Sequence, residues 1–458
     1  MENNNNSIFK VLFYSILLIL FSELTKFGSF FIAITFFLSI IFIIFIKKVN
    51  FLELFSVLII VSSFGQILRG ANGYVTYLSL IFSIILLYRF KSFRFKFPWI
   101  FLVILIPQLL TLLNIKGDFS SIAGFISLLG IFSSVLFIRN INWTKSNLYF
   151  FFKVICIIPF FSIVITVLDL INFDSSLFIF STNVFEESNF LNLNKYGTFG
   201  SSELMAEAMM ISAIVSLNSI SIAKKSSDFY FFLCSLIISV ILVIFSFSRS
   251  IIILTSILIV VSLLLGPLKI LSLKNLGILL MFSLIIQLNL NQDELKNKFT
   301  SDTDFIENFL DNPFLAENTS REYVFKLAID KIFSKPYFFG DGYSLPEENK
   351  KTWLGSESEN WADYHNLYFS IIPLFGWIAL SLYLLLIIIA LNNSIKNFRV
   401  HRKKDIVIST IYFVFTLLII GTTIGQFKIN GLRTGAYFYF LFTLLYLSHM
   451  KISKNKIQ

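Results

Sequence analysis

Charge is scarce in this chain. Asp, Glu, Lys and Arg make up 14% of its 458 residues, where soluble globular domains carry about 25%. Hydrophobic residues reach 56% and mean hydropathy is +0.80, which excludes an ordinary water-soluble fold. Proline is also rare, 8 residues against 57 Phe, so the apolar bulk is free to be helical throughout. The two cysteines, Cys156 and Cys234, both lie inside apolar runs. Their number and placement argue against a disulfide framework and leave no neighbouring ligands for a metal. Also missing are a Gly-rich nucleotide loop, a ligand-spaced pair of His or Cys, and a hydrolase serine elbow. Met1 to Asn6 is short and polar, and the first apolar run lacks a small-residue cleavage site. That start reads as a retained first helix rather than a cleaved signal.

What is present is a succession of oily runs. About fourteen are long enough, or nearly so, to cross a hydrocarbon core that needs roughly 20 residues. They fall at 8–23, 27–46, 51–68, 74–90, 98–115, 121–138, 148–170, 203–222, 229–247, 250–265, 271–289, 366–391, 405–424 and 435–449. In lipid only a helix satisfies its own backbone, so each predicts a helix. The expected fold is an all-α integral membrane protein, a polytopic bundle of about fourteen spans (about ten at the fewest). Its parts are N-terminal membrane helices over 1–290, with an external loop at about 171–202; a large external loop over 291–365, carrying short helices; and C-terminal membrane helices over 366–458.

The net charge of +10 raises nucleic acid as a partner, but the placement of the basic residues argues against it. Alternate loops are rich in Lys and Arg: Lys47 and Lys48; Arg89, Lys91, Arg94 and Lys96; Arg139 and Lys145; Lys224 and Lys225; Lys269 and Lys274. The same side receives Lys396, Arg399, Arg402, Lys403 and Lys404, then Lys451, Lys454 and Lys456. The intervening short loops hold only Lys26, Arg69, Lys116, Arg249, and Lys428 with Arg433. The positive-inside rule then puts both termini in the cytoplasm. The charge is a topological signal, and no nucleic acid is expected.

Polar chemistry gathers in the large external loop, from about Asn291 to Tyr364, where acidic residues outnumber basic ones. Thr319-Ser-Arg-Glu322 reads as a capping box, and Glu322, Lys326 and Asp330 form a polar stripe opposite Val324, Phe325, Ala328 and Ile332. This predicts a short amphipathic helix on the outer interface or capping the bundle, ended by Pro336. His365 is the only His expected on the outer side; it is a candidate proton acceptor or, equally, an anchor for a helix end. Asn366 beside it suits a helix cap. Arg249, in a turn between two spans, is costly there unless it meets an anion or carboxylate, or snorkels. Arg69, Lys116, Lys428 and Arg433 share that face, and converging cations would suit a diphosphate. Glu203 and Glu207 open a membrane helix, favoured by its dipole or serving as partners for Arg249. Asp169 and Glu53 are further intramembrane carboxylates with no evident partner.

Four short patterns resemble the bacterial O-antigen polymerase and O-antigen ligase superfamily. Gly197-Thr198-Phe199 with Glu203 and Ala206 resembles its Gly-x-Phe…Asn…Ala pattern leading into a helix, with Glu203 where Asn is usual. Ser248-Arg249 resembles its Ser-Arg turn. Arg321 with Pro336, Gly340 and Gly342 resembles the Arg…Pro-x-x-Gly-x-Gly segment of its periplasmic loop. His365-Asn366 with Gly376 resembles the His-Asn…Gly pattern that closes that loop, although Ala379 stands where a small residue, Tyr or Thr is usual. The patterns cover the chain from Gly197 onward.

The resemblance implies an inverting glycosyl transfer without metal or cofactor at the outer face of the bacterial cytoplasmic (inner) membrane. Its donor is an oligosaccharide on undecaprenyl diphosphate. It implies His365 as general base or acceptor-orienting group, with Arg249 and Arg321 on the diphosphate. Glu203, Arg69, Arg433, Asn366, Gly340 and Gly342 are the candidate substrate-binding residues. Partners are the lipid-linked oligosaccharide, membrane lipid and, as a further candidate, a chain-length regulator. The expected activity is a repeat-unit polymerase for a surface polysaccharide, O-antigen or capsule, with the ligase that transfers polymer to lipid A core as the alternative. A lipid-linked oligosaccharide flippase or other transporter is the alternative of another class, although no internal repeat or midplane charge pattern supports one.

Overall fold

The computed structural model describes residues 2–24, 50–63, 138, 140, 141, 143–170, 202–246, 248–266, 329, 332, 333, 338 and 367–425. Among these it is all-helical, with no β-strand. Its helices are α1 (Glu2–Leu24), α2 (Phe51–Ser62), α3 (Lys145–Leu170), α4 (Ser202–Ile220), α5 (Ser226–Phe245), α6 (Arg249–Leu265), α7 (Leu367–His401) and α8 (Ile406–Gly425). Each falls on a span expected from the sequence. Stretches of four are long and apolar enough to cross a membrane: Lys145–Val164, Ser226–Phe245, Gly376–His401 and Ile406–Gly425. The chain is a membrane protein. The expected spans at 27–46, 74–90, 98–115, 271–289 and 435–449, most of 121–138, and the C-terminal end lie outside the described residues.

Local chemistry explains how several helices are held. Asn50 caps α2: its Oδ1 accepts from the Glu53 amide at 2.8 Å, and the Asn50 amide donates to the Glu53 carboxylate at 3.0 Å. That capping box gives Glu53 the partner its sequence position did not reveal. In α3, Pro159 has no N–H for the Ile155 carbonyl one turn back. Ser212 Oγ of α4 donates to that carbonyl at 3.3 Å instead, so the proline's gap is closed by a neighbouring helix.

Helix α4 is the centre of the bundle and packs against α3, α5, α6 and α8. Every side chain from Met205 to Ser216 is buried. Lipid tails are as apolar as Leu, so close packing and hydrogen bonds must hold such a helix. Its Ala and Ser residues let neighbours approach. The Ser216 hydroxyl lies 3.1 Å from Cys156 Sγ of α3 and donates to Ser235 of α5 at 2.9 Å, while Asn218 donates to Ser262 of α6 at 3.3 Å. Cys156 and Cys234 are both free thiols.

Helix α7 is not one rod. Gly376 breaks it, with φ 88 and ψ 169, a combination in effect closed to residues with a Cβ. Fifteen residues of straight helix would put Tyr368 about 22 Å from Tyr383. Their ring centroids are 6.2 Å apart. The short helix 367–375 is therefore turned back alongside the long one. Tyr368 also donates its hydroxyl to the Thr423 carbonyl near the end of α8, at 2.7 Å. The sequence predicted a single uninterrupted span at 366–391; the glycine divides it, and the long part continues to His401.

The two ends of the bundle differ in chemistry. At one, Lys145 pairs with Asp405, Lys153 Nζ lies 2.6 Å from Asp228, and the Tyr149 hydroxyl donates to Asp228 at 3.0 Å. Exposed Lys224, Lys225, Arg402, Lys403 and Lys404 surround these pairs. Partial burial raises the Asp405 carboxyl pKa, but Lys145 and the Ile408 and Val407 amides outweigh it and hold the carboxyl below its ordinary range. This is the end that the basic loops mark as cytoplasmic.

Candidate functional site

The opposite end brings together the starts of α4, α6 and the short helix of α7 with the end of α8. Gly425 of α8 faces Glu207 of α4 so closely that a Cβ there would lie 3.0 Å from the carboxylate Oε1. Glu207 is 1% exposed, and Tyr368 lies within its electrostatic reach. One turn further in, Gly421 approaches Met210 of α4 and Leu258 of α6; a Cβ would sit 3.2 Å from Met210 Cε and 2.8 Å from Leu258 Cδ1. Glycine at both positions lets three helices meet around a buried carboxylate.

The register of α4 and α6 places two of the sequence candidates at this level. The helices run in the same direction, and the Asn218–Ser262 hydrogen bond joins residues 44 apart in sequence. Parallel packing puts the Arg249 start of α6 at the same end of the bundle as the α4 turns that carry Glu203 and Glu207. A cation-bearing helix start thus shares one end of the bundle with two carboxylate-bearing turns. His365 and Asn366 immediately precede the Leu367 start of the short helix in sequence. They, and Arg69, Arg321, Gly340, Gly342 and Arg433, lie outside the described residues.

Part of the large loop reaches the same end. Ile332 is buried in the hydrophobic core, at 3% exposure, as a bundle-capping helix would require. The next residue, Phe333, packs its ring 6.0 Å from that of Trp377. Two residues past the break, the Ile378 amide donates to the Phe338 carbonyl at 3.4 Å. A helix that restarts after a break has amides without partners in its own turn, and the loop supplies one.

Sequence reading missed Tyr368, Thr423 and Gly425. A tyrosine and two small residues inside apolar runs carry no signal by themselves; the fold-back at Gly376 brings Tyr368 to Thr423, and the packing of α8 on α4 brings Gly425 to Glu207. Glu207 was legible as the partner of Glu203 at i, i+4 spacing, yet its place inside the three-helix junction was not. Among the described residues, no three His, Cys, Asp or Glu gather in a way that could hold a metal ion.

A family model described as O-antigen ligase matches residues 234–384. The matched stretch runs from α5 through α6 and the large loop into the long part of α7. No curated protein matches the chain significantly.

Proposed function

We propose, from the premise that residues 234–384 make the chain a member of the O-antigen polymerase and ligase superfamily, that it polymerises lipid-linked oligosaccharide repeat units. The observation that carries this reading is the convergence of the α4, α6 and α7 starts at the end away from the basic loops, the end to which Arg249, Glu203 and Glu207 belong. The site faces the outside of the bacterial cytoplasmic membrane, where the donor is a glycan on undecaprenyl diphosphate and the acceptor is the terminal sugar of another lipid-linked unit.

The acceptor hydroxyl oxygen attacks the anomeric carbon from the face opposite the diphosphate. The bond to the phosphate oxygen breaks, configuration inverts, and undecaprenyl diphosphate leaves. His365 takes the hydroxyl proton. Arg249 and Arg321 neutralise the charge that grows on the leaving diphosphate, the part a divalent cation plays elsewhere. Glu203, Asn366, Gly340, Gly342, Arg69 and Arg433 shape the binding surface for sugar and diphosphate. The loop fragment at the Gly376 break supports a shared role for loop and bundle.

The ligase is the second reading, favoured by the description of the matched family. One experiment tests the site and separates the two. In cells carrying His365→Ala as the only copy, polymer is expected to disappear while the protein remains in the membrane. Single repeat units left on lipid A core identify a polymerase; polymer left on the undecaprenyl carrier identifies a ligase. Full-length polymer on lipid A core from that variant removes His365 from the mechanism.

A further inference from the structure

The large loop leaves two aromatic side chains uncovered where it meets the broken helix. Phe333 is 74% exposed and Phe338 62%. Both are fixed in place by neighbours: Phe333 by buried Ile332 before it and the Trp377 ring beside it, Phe338 by its carbonyl on the Ile378 amide. These are ordered apolar surfaces. In water, each would be an exposed cost.

The depth of the contact says what covers them. Trp377 lies nineteen residues from Lys396 along the long helix, about 28 Å at the α-helical rise. The hydrocarbon core is about 30 Å thick. With Lys396 at the cytoplasmic boundary, Trp377 and the two Phe residues stand at the outer boundary. Below them, Ile378, Leu385 and Ile388 are exposed on the spanning helix at one-turn and two-turn spacings, a lipid-facing stripe. Phe333 and Phe338 stand at the head of that stripe, at the depth where aromatic side chains favour the membrane interface.

We infer that Phe333 and Phe338 insert among the acyl chains of the outer leaflet and anchor the large external loop in the bilayer. The loop is then a membrane-seated element, held on one side by Ile332 in the bundle and on the other by lipid. This anchoring does not depend on the reaction proposed above, and its test reads no activity.

The test uses the full chain in vesicles of phosphatidylethanolamine and phosphatidylglycerol. A nitroxide is attached to Phe333→Cys or Phe338→Cys in a Cys234→Ser background; Cys156, wholly buried, is left in place. Collision with lipid-soluble oxygen is compared with collision with a water-soluble nickel chelate. Reference labels at Ile388→Cys and Lys403→Cys mark lipid and water. The expected result is an oxygen preference at both positions several-fold above the Lys403 label and below the Ile388 label, which lies nearer the bilayer centre. A preference for nickel overturns the inference, because the loop then lies in water. Slow collision with both agents also overturns it, because protein, such as a second copy of the chain, then covers the aromatic pair.

Discussion

Glu53 and Glu207 are buried alike, 3% and 1% exposed, on helices of similar oiliness. Glu53 belongs to the first turn of α2 and spends its carboxylate on the Asn50 amide. The Asn-x-x-Glu spacing went unrecognised in the sequence, because the carboxylate's partner is a backbone donor and not the opposite charge that an intramembrane Glu suggests. Glu207 lies past the first turn of α4, where end effects fade, and its surroundings come from α7 and α8. No local pattern could have announced them. Gly425 is the residue that fits Glu207 into this junction. Gly425→Ala is expected to press on the carboxylate and to destabilise the protein by about 1–3 kcal/mol, read as earlier thermal unfolding in detergent. Adding Glu207→Asp, which withdraws the carboxylate by one methylene, is expected to restore part of the loss. A double variant no better than the single one would show that the contact at Oε1 is not the cause.

At the scale of elements, periodicity and length identified helices well and their interruptions poorly. Gly376 was visible inside an apolar run, but a glycine costs a helix only about 1 kcal/mol, so its presence does not say whether the rod continues. The positive φ decides it, and the sequence does not encode that angle locally. Pro159 shows the reverse case: a residue that normally breaks helices sits inside α3 because Ser212 takes the carbonyl it strands. At the Gly376 conformation any Cβ is strained by about 1–3 kcal/mol. Gly376→Ala is therefore expected to free the short helix from Tyr383 and Thr423. The measurement is crosslinking between Tyr368→Cys and Thr423→Cys, efficient when Gly376 is kept and weakened several-fold when Gly376→Ala is added. Undiminished crosslinking would show that the fold-back survives without the glycine's angle.

For the whole molecule, charge distribution was the most legible property. The alternation of basic loops predicted one ion-rich end, and the described helices deliver Lys145, Lys224, Lys225 and Lys403 to it together. What the alternation left out was pairing across the bundle, since Lys145 and Asp405 are 260 residues apart. Their pair ties the start of α3 to the turn between α7 and α8. Asp405 is held below its ordinary range, so its contribution to stability is full above that range and is lost as pH falls through the depressed value. In detergent, wild-type protein is expected to melt above Asp405→Asn at about pH 7, with the difference closing as pH falls below the ordinary carboxylate range. The gap should be modest, because both partners are partly solvated. A gap that is unchanged over this range would exclude the carboxylate charge as its source.

The turned-back short helix also dictates when the outer end can be completed. Nine residues are too few to span a bilayer, so 367–375 cannot be threaded as a passage of its own. On the proposed topology it arrives from outside, behind a loop already translocated. Its anchor, the Thr423 carbonyl, lies 55 residues later in the chain. Until the ribosome has supplied α8, the Tyr368 hydroxyl lacks the Thr423 carbonyl and Glu207 has no Gly425 beside it. That end of the bundle is thus among the last described parts to become whole during synthesis, and a chain stopped before Thr423 lacks both the anchor of Tyr368 and the glycine at Glu207.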